Sequence, residues 1–449
     1  MRWTRHRPTV LVALVSAAAC APQAVEAGTA ASDAATPAAE TAGPVADPTT
    51  CAADNGGITL PAGFCASVFA DIEGPVRHVV VRQDGAVFLS LAAGREGNAP
   101  GGIVALRDTD GDGMADVTER FGPENGGTGL DLRGDLLYFG TDDAVLRYTI
   151  PADALTPTSG PDTIVAGLPA DRSHRAKSIA LSQDGSRIFV NIGSPSNSCQ
   201  TEDRQAGVAG QDPCPELDTR AGIWVFDANA SGQTQTDGER WATGIRNAVA
   251  ITTHPSTGDV YVVQHGRDNL VQNWPEHFDE VDSAELPAEE FIRVEQGDDF
   301  GWPYCFHNPR TNTKVLAPEY GGDGEQVGRC AEKKDPLYSF PGHWAPNDLL
   351  FYTGTQLPED FRDGLFVAFH GSWNRAPQPQ GGYNVAFLPM QNGEPAGEHV
   401  VFADGFAGGT MQPGEAEHRP SGLAQGPDGE IYVTSDQSGR VWRVVFTGG

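Results

Sequence analysis

Six copies of one turn pattern recur along this 449-residue chain and limit what it can fold into. Each sets Gly beside Asp ahead of a short apolar or alternating run. The copies are Asp84-Gly85 before AVFLS, Gly134-Asp135 before LLYFG, Asp184-Gly185 before SRIFVN, Gly258-Asp259 before VYVV, Asp363-Gly364 before LFVAF and Asp428-Gly429 before EIYVT. Their glycines stand 49, 51, 73, 106 and 65 residues apart. Gly enters positive φ at no steric cost, so such pairs form hairpin turns. Recurrence at roughly 50 residues, with space for four short strands per unit, reads as a β-propeller. The expected fold is all-β: a six-bladed β-propeller of four-stranded antiparallel blades. The wider intervals then hold insertions on a binding face.

The formal charge of −30 argues against nucleic acid and anionic membrane surfaces as partners. The chain opens with Arg2, Arg5 and Arg7, then the apolar run TVLVALVSAAA, then Cys20. A basic start, a short apolar stretch and small residues mark a secretory signal. Ala17-Ala18-Ala19-Cys20 is similar to a bacterial lipoprotein box, although Ala17 stands where Leu is usual. Ordinary cleavage after Ala19 or Ala27 is the alternative. The expected organisation is a signal peptide at 1–19, an Ala/Pro/Thr-rich tether at 20–50 and a propeller domain at 51–449. Lipidation at Cys20 would make it a periplasmic or outer-membrane-anchored protein of a bacterium. Of the seven cysteines, the other six fall in neighbouring pairs: Cys51/Cys65, Cys199/Cys214 and Cys305/Cys330. In an oxidising compartment, disulfides between those neighbours are the expected pairing.

The sharpest local motif runs from Asp108 to Glu119, DTDGDGMADVTE. Asp108, Asp110, Asp112, Asp116 and Glu119 supply carboxylates at EF-hand spacing, Met114 its carbonyl and Gly113 the sharp turn. Hard oxygen donors at that density suit Ca²⁺. The flanks read as β instead of paired helices, so an empty Asp/Gly-rich blade connection is the competing reading. A second constellation is basic. His174 and Lys177 in DRSHRAKSIAL, Arg246-Asn247 in GIRNAVAI, Arg419 in HRPSGL and HGSWNR after Asp363-Gly364 fall at matching places in successive repeats. Such places converge on one channel end. A cationic funnel there suits a small polyanion, whereas a wet polar channel is the plainer alternative.

DRSHRAKSIALSQDG, GIRNAVAITTHPSTGDVYVVQHGRD, GDDFGWPYC, GHWAPNDLLFYTG, FVAFHGSWNR and HRPSGLAQGPDGEIYVTSD together resemble the pyrroloquinoline quinone (PQQ)-dependent sugar dehydrogenases. The similarity covers roughly residues 60–446 and is nearest the soluble aldose, pyranose and L-sorbosone branch. The resemblance implies that His174 is the base removing the sugar hydroxyl proton as hydride passes to PQQ. It implies cofactor contacts from Arg246, Asn247 and Arg419, with Lys177 and His343 nearby. It also implies a catalytic Ca²⁺ on the backbone carbonyls of Gly266 and Arg267. Electrons would pass to an external acceptor, a cytochrome or quinone. The chain departs from the glucose-oxidising relatives in having Val249 where they have Gln, and Arg267 where they have Pro. Trp302, Tyr304, Trp344 and Trp373 are candidates for stacking on cofactor or sugar. Two other classes stay open: a Ca²⁺-dependent lactonase or esterase on a six-bladed propeller, and a non-catalytic binding propeller. The basic groups favour the dehydrogenase over both.

Overall fold

The structure, a computed structural model, describes residues 51–94 and 99–448. The signal segment, the tether and Cys20 lie outside the described residues. The fold is a six-bladed β-propeller. The six innermost strands are Val76–Val81, Gly127–Arg133, Ile179–Leu181, Ala250–Thr253, Pro346–Phe351 and Pro420–Gln425. Each pairs antiparallel with the next strand in sequence, respectively Val87–Leu91, Leu136–Thr141, Arg187–Ile192, Val260–Gln264, Gly364–Phe369 and Ile431–Ser435. The six Asp/Gly pairs sit in these inner hairpin links or at their border. That is why one turn signal recurs once per blade. Gly85, Gly134, Gly185, Gly258 and Gly429 all take the positive φ that the turns require.

Both faces of a blade are covered by its neighbours, so alternate residues of one strand feed two different cores. In Val87–Leu91, Val87, Leu89 and Leu91 pack toward Tyr432 and Val441 of the sixth blade, while Phe88 packs with Leu137 and Phe139 of the second. Comparable clusters fill each remaining gap between blades and close the ring. The sixth blade is shared between the chain's two ends. Phe64–Asp71 pairs antiparallel with Arg440–Phe446, Phe64 opposite Phe446.

Two insertions rise between blade strands. Residues 193–221 form a loop closed by the Cys199–Cys214 disulfide. The longest repeat interval holds the short helices Leu270–Asn273 and Glu280–Glu285, a hairpin of Cys305–Asn308 with Thr313–Leu316, and the Cys305–Cys330 disulfide. Cys51–Cys65 ties the first described residues to the closing strand. No helix among the described residues is long and apolar enough to cross a membrane.

Candidate active site

The inner strands line two cavities, one toward each end of the propeller axis. The cavity opposite the Asp/Gly turns has a volume of about 460 Å³ and gathers His174, Arg246, Asn247, Gly266 and His343 on its wall. His174 precedes its inner strand with φ +48°, a left-handed conformation uncommon outside glycine. Its Nδ1 sits 2.7 Å from the Ser194 carbonyl oxygen. That oxygen can only accept, so Nδ1 carries the proton and Nε2 stays bare. A methyl group on Gly193 would lie 2.6 Å from His174 Cβ and 3.0 Å from Asn247 Oδ1. The close approach of these two residues therefore depends on Gly193.

Burial draws His174 down to about 3, with Arg246 adding to the effect. His265 falls to about 4, again chiefly through burial. His343 and His370 are lowered too, burial outweighing the nearby Asp268 and Asp436. All four imidazoles are neutral at pH 7.

The arginines are paired. Arg246 donates from one terminal nitrogen to the Gly266 carbonyl at 2.7 Å, and from the other to Asp268 Oδ2 at 2.9 Å and Asn197 Oδ1 at 3.0 Å. Arg204 reaches the same Asp268 oxygen at 3.0 Å. Burial alone would raise Asp268, but the guanidiniums of Arg246 and Arg204 outweigh it and hold the carboxylate ionised. Arg77 pairs with Asp436, whose other oxygen is 2.6 Å from His370 Nε2. Arg175 faces Asp142 at 3.3 Å. The expected cationic funnel is therefore corrected: every arginine on this wall has a carboxylate partner. Taking several like charges out of water is costly, and pairing them offsets that cost.

The structure does not bring all the expected residues to this cavity. Lys177 is buried behind the wall, its Nζ 2.7 Å from the Arg175 carbonyl, and burial lowers it to about 8. The Arg267 side chain, as distinct from the backbone carbonyl expected to hold a cation, pairs with buried Glu319. Arg419 lines an adjoining cavity with Asp436, and the two cavities share His370. It donates to the His370 and Gly371 carbonyls at 2.9 and 2.7 Å and lies over the Tyr383 ring. Of the four candidate aromatics, Trp373 lines the cavity. Trp302 donates to the Asn197 carbonyl, Tyr304 accepts from the Cys214 amide and Trp344 packs on Phe369.

Sequence reasoning missed Asp268, Arg204, Glu289, Arg77, Asp436 and Asn374. Asp268 and Asn374 stand inside motifs already singled out, QHGRD and HGSWNR, one residue beyond the positions chosen. Glu289 accepts from the Gly266 and Ala345 amides at 2.7 and 3.1 Å, and burial pushes it up to about 8. Arg246 Nε and Asn374 Oδ1, atoms of two cavity-lining residues, are buried without a hydrogen-bond partner among the described residues. The wall offers arginine and amide groups, neutral imidazoles and the Gly266 carbonyl, a polar lining that fits a polar ligand such as PQQ.

In the Asp108–Glu119 segment, Asp108, Asp110 and Asp116 bring one oxygen each within 4.8 Å of the others. The strand Val117–Phe121 starts before the last ligand position, so Glu119 lies on an exposed outer strand opposite Ala105. Asp112 accepts from the Met114 amide.

The family model described as TrAA12-like matches residues 58–446. The chain is 26% identical over 318 residues to a pyrroloquinoline quinone-dependent pyranose dehydrogenase of Coprinopsis cinerea, 62% of this chain and 40% of that protein. The aligned stretches span less than two thirds of the curated relatives it matches first, 64% and 40%. The solved holo PQQ domain of the Coprinopsis cinerea enzyme has a TM-score of 0.69 at 20% identity, covering 86% of this chain and 97% of that one. A calcium structure of the Trichoderma reesei carbohydrate-active enzyme of family AA12 has a TM-score of 0.70 at 18% identity, covering 87% and 97%. These likenesses show the fold.

Proposed function

Because the chain belongs to the TrAA12-like family, we propose that it is a PQQ-dependent dehydrogenase that oxidises a sugar hydroxyl or aldehyde and hands electrons to an external acceptor. The relatives named for PQQ and sugars support the class of reaction. The observation that carries the reading is the His174 imidazole, tautomer fixed by Ser194, set beside Asn247 and Arg246 on the wall of a polar cavity. When bound, PQQ supplies the hydride acceptor and a divalent cation supplies a Lewis acid.

The protein's part is binding, orientation and proton removal. His174 Nε2 is the proposed proton acceptor from the sugar hydroxyl. Its lowered basicity keeps it unprotonated throughout the neutral range, and a positioned base contributes on the order of 10²–10⁴-fold. His370 is a second reading, favoured by Asp436 at 2.6 Å, which would stabilise the imidazolium formed. Asn247 and Arg246 orient the cofactor on the main wall, and Arg419 faces it from the adjoining cavity. Glu289 fixes the Gly266 backbone whose carbonyl is a proposed cation donor. The Gly266 oxygen already accepts from Arg246, so a cation there would use its second lone pair. Lys177 and His343 act as supports: Lys177 braces the Arg175 backbone, and His343 sits 3.7 Å from Asp268. Asp108, Asp110 and Asp116 form a separate proposed structural Ca²⁺ site.

The three disulfides fit export. Location in a bacterial periplasm, with a lipid on Cys20, completes the proposal. The test is reconstitution of purified protein with PQQ and Ca²⁺, followed by absorbance and by dye reduction with a sugar panel. A shifted quinone spectrum with sugar-dependent dye reduction supports the reading. No spectral change on PQQ addition overturns it.

A further inference from the structure

Trp373 is the exception among the tryptophans of the described residues. It is 53% exposed, whereas the others are buried or partly buried. It also lines the main cavity, so its exposed surface is open to a ligand there. Single exposed apolar side chains are ordinary on a protein surface. This one differs in how firmly its backbone is held. On one side, the Ser372 amide donates to the Gly381 carbonyl at 2.9 Å, and the Ser372 carbonyl accepts from the Tyr383 hydroxyl at 2.7 Å. On the other, Asn374 donates to Asp268 Oδ1 and Arg375 to the Gly342 carbonyl, each at 2.8 Å. The indole itself has no hydrogen bond and no ring partner among the described residues. A large aromatic surface is thus presented ready-made, and a ligand that covers it loses little to ordering of the protein.

The exposed lining residues mark the mouth of the cavity: Asn125, Arg175, Arg204 and Trp373. Asp268 ties part of this mouth together, since Arg204 reaches its Oδ2 at 3.0 Å and Asn374, next to Trp373, reaches its Oδ1. The mouth therefore combines one indole with planar cations and an amide. A sugar ring matches such a surface, with C–H groups on its faces and hydroxyls around its edge. Position decides which sugar ring. The cavity, about 460 Å³, is small within the ~300–1,000 Å³ range of ligand sites, and on the reading above it seats both PQQ and the sugar unit that His174 deprotonates. A ring lying on half-exposed Trp373 is a further unit, outside that space. Resting on the dehydrogenase reading, we infer that Trp373 is a substrate-positioning residue of an outer subsite, stacking on the second unit of a disaccharide or longer oligosaccharide whose reducing-end unit occupies the cavity. The groups that pin Ser372, Asn374 and Arg375 act through it, by fixing where the indole stands.

The experiment uses the full protein reconstituted with PQQ and Ca²⁺. Dye reduction is measured with D-glucose beside maltose and cellobiose, and with D-xylose beside xylobiose. At least one disaccharide is expected to exceed its monosaccharide about tenfold in kcat/KM, the size of one aromatic stacking contact. In Trp373→Ala that advantage falls to about twofold or less, through the disaccharide KM, and Trp373→Phe keeps most of it. Binding is read apart from turnover by calorimetric titration of the methyl glycoside of that disaccharide, which has no free reducing end, and should weaken about tenfold in Trp373→Ala. A wild type that prefers every monosaccharide, or an advantage unchanged in Trp373→Ala, overturns this inference alone. A raised KM for the dye or weakened PQQ binding, with the sugar ratios intact, also overturns it, by assigning the indole to the acceptor or to the cofactor. Trp373→Gln takes the place of Trp373→Ala where the latter fails to fold. A wild type that oxidises none of these sugars overturns the dehydrogenase reading and this inference together.

Discussion

The two ends of the propeller axis are lined by the same inner strands, yet they use buried polar groups in opposite ways. At the turn end, in a cavity of about 640 Å³, Asp131 and Asp348 occupy inner strands three blades apart. Asp131 accepts from the amide of Leu132 and from that of Leu181 on the next blade, each at 2.7 Å. Asp348 repeats the device with Leu349 and with Leu423 of its next blade, each at 2.9 Å. Every oxygen is met by backbone, and each carboxyl fastens one blade to the following one. At the other end, side chains meet side chains across insertions, and Arg246 Nε and Asn374 Oδ1 are left over. Shifted acidities mark both ends: burial pushes Asp131 to about 6 and Asp348 to about 8. Cavity size favours the turn end. Neither property separates scaffold from site. What differs is the partner: backbone amides of the next blade at the turn end, side chains of other loops at the other.

The largest expected effect breaks the comparison if it fails. His174→Ala should lower turnover by about 10²–10⁴-fold with PQQ still bound. His370→Ala is measured beside it, and the variant with the larger loss identifies the base. Asp348→Asn, at the far end, should leave turnover per bound PQQ unchanged. A large loss there would show that the turn end takes part in chemistry.

Next in size, Arg246→Ala should weaken PQQ binding by roughly 10–100-fold, the worth of a charge-assisted bond. It should also lower the melting temperature, because Asp268 loses its nearest charge partner while staying buried. Unchanged PQQ affinity in an intact fold would remove Arg246 from the cofactor contacts.

A subtler difference is read in pH. Asp348 and Glu289 have folded pKa values raised to about 8, so their contribution to stability is full below the ordinary carboxylate range near 4 and is lost progressively as pH rises from there through about 8. The buried histidines are lowered, His174 to about 3 and His265 to about 4, so they favour folding above the ordinary histidine range and oppose it below. Stability should therefore peak near pH 7 and fall on both sides. Asp348→Asn should remove a decline that runs from the ordinary carboxylate range near pH 4 up to about 8, so its melting temperature should gain on the wild type's steadily from pH 5 to pH 8 and hold that gain to pH 9. An unaltered slope between pH 5 and pH 8 would refute the assignment to Asp348.

The smallest effect tests the same contrast away from the axis. Both oxygens of Asp108 accept loop amides, from Gly111 and Gly113, much as Asp348 is met by backbone. The Asp108–Asp116 loop thus keeps its shape with or without an ion, and Ca²⁺ at ten times its Kd adds only ~1.4 kcal/mol. Asp110→Ala should remove one bound Ca²⁺ and lower the melting temperature slightly. Unchanged stoichiometry would show that the loop binds none.

Much of the architecture was legible because propeller blades repeat, and a periodic turn marks each one. His174, Arg246 and Asn247 were legible for the same reason: they precede inner strands at corresponding places. Asp268, Glu289 and Asn374 were not: Asp268 and Asn374 lie in loops between blade strands and Glu289 opens a third blade strand, where no repeated turn marks a position. Asn374 reaches Asp268 across 106 residues, and Arg77 reaches Asp436 across 359. Nothing local in GPVRHV or QHGRD signals such partners. The expectation of a cationic funnel failed for a related reason, since the compensating carboxylates come from distant blades and loops.

The shared sixth blade has a mechanical consequence. Phe64 lies opposite Phe446, so both described ends of the chain leave the closing ladder at the same edge. Tension applied between the termini would peel this ladder one bond at a time, whereas tension along the strands would load all its bonds together. The ring thus has a weak direction, and the Cys51–Cys65 crosslink stands at its starting point. In optical-tweezers extension, reduced protein should open from this clasp at lower force than oxidised protein, with the other blades following as separate steps.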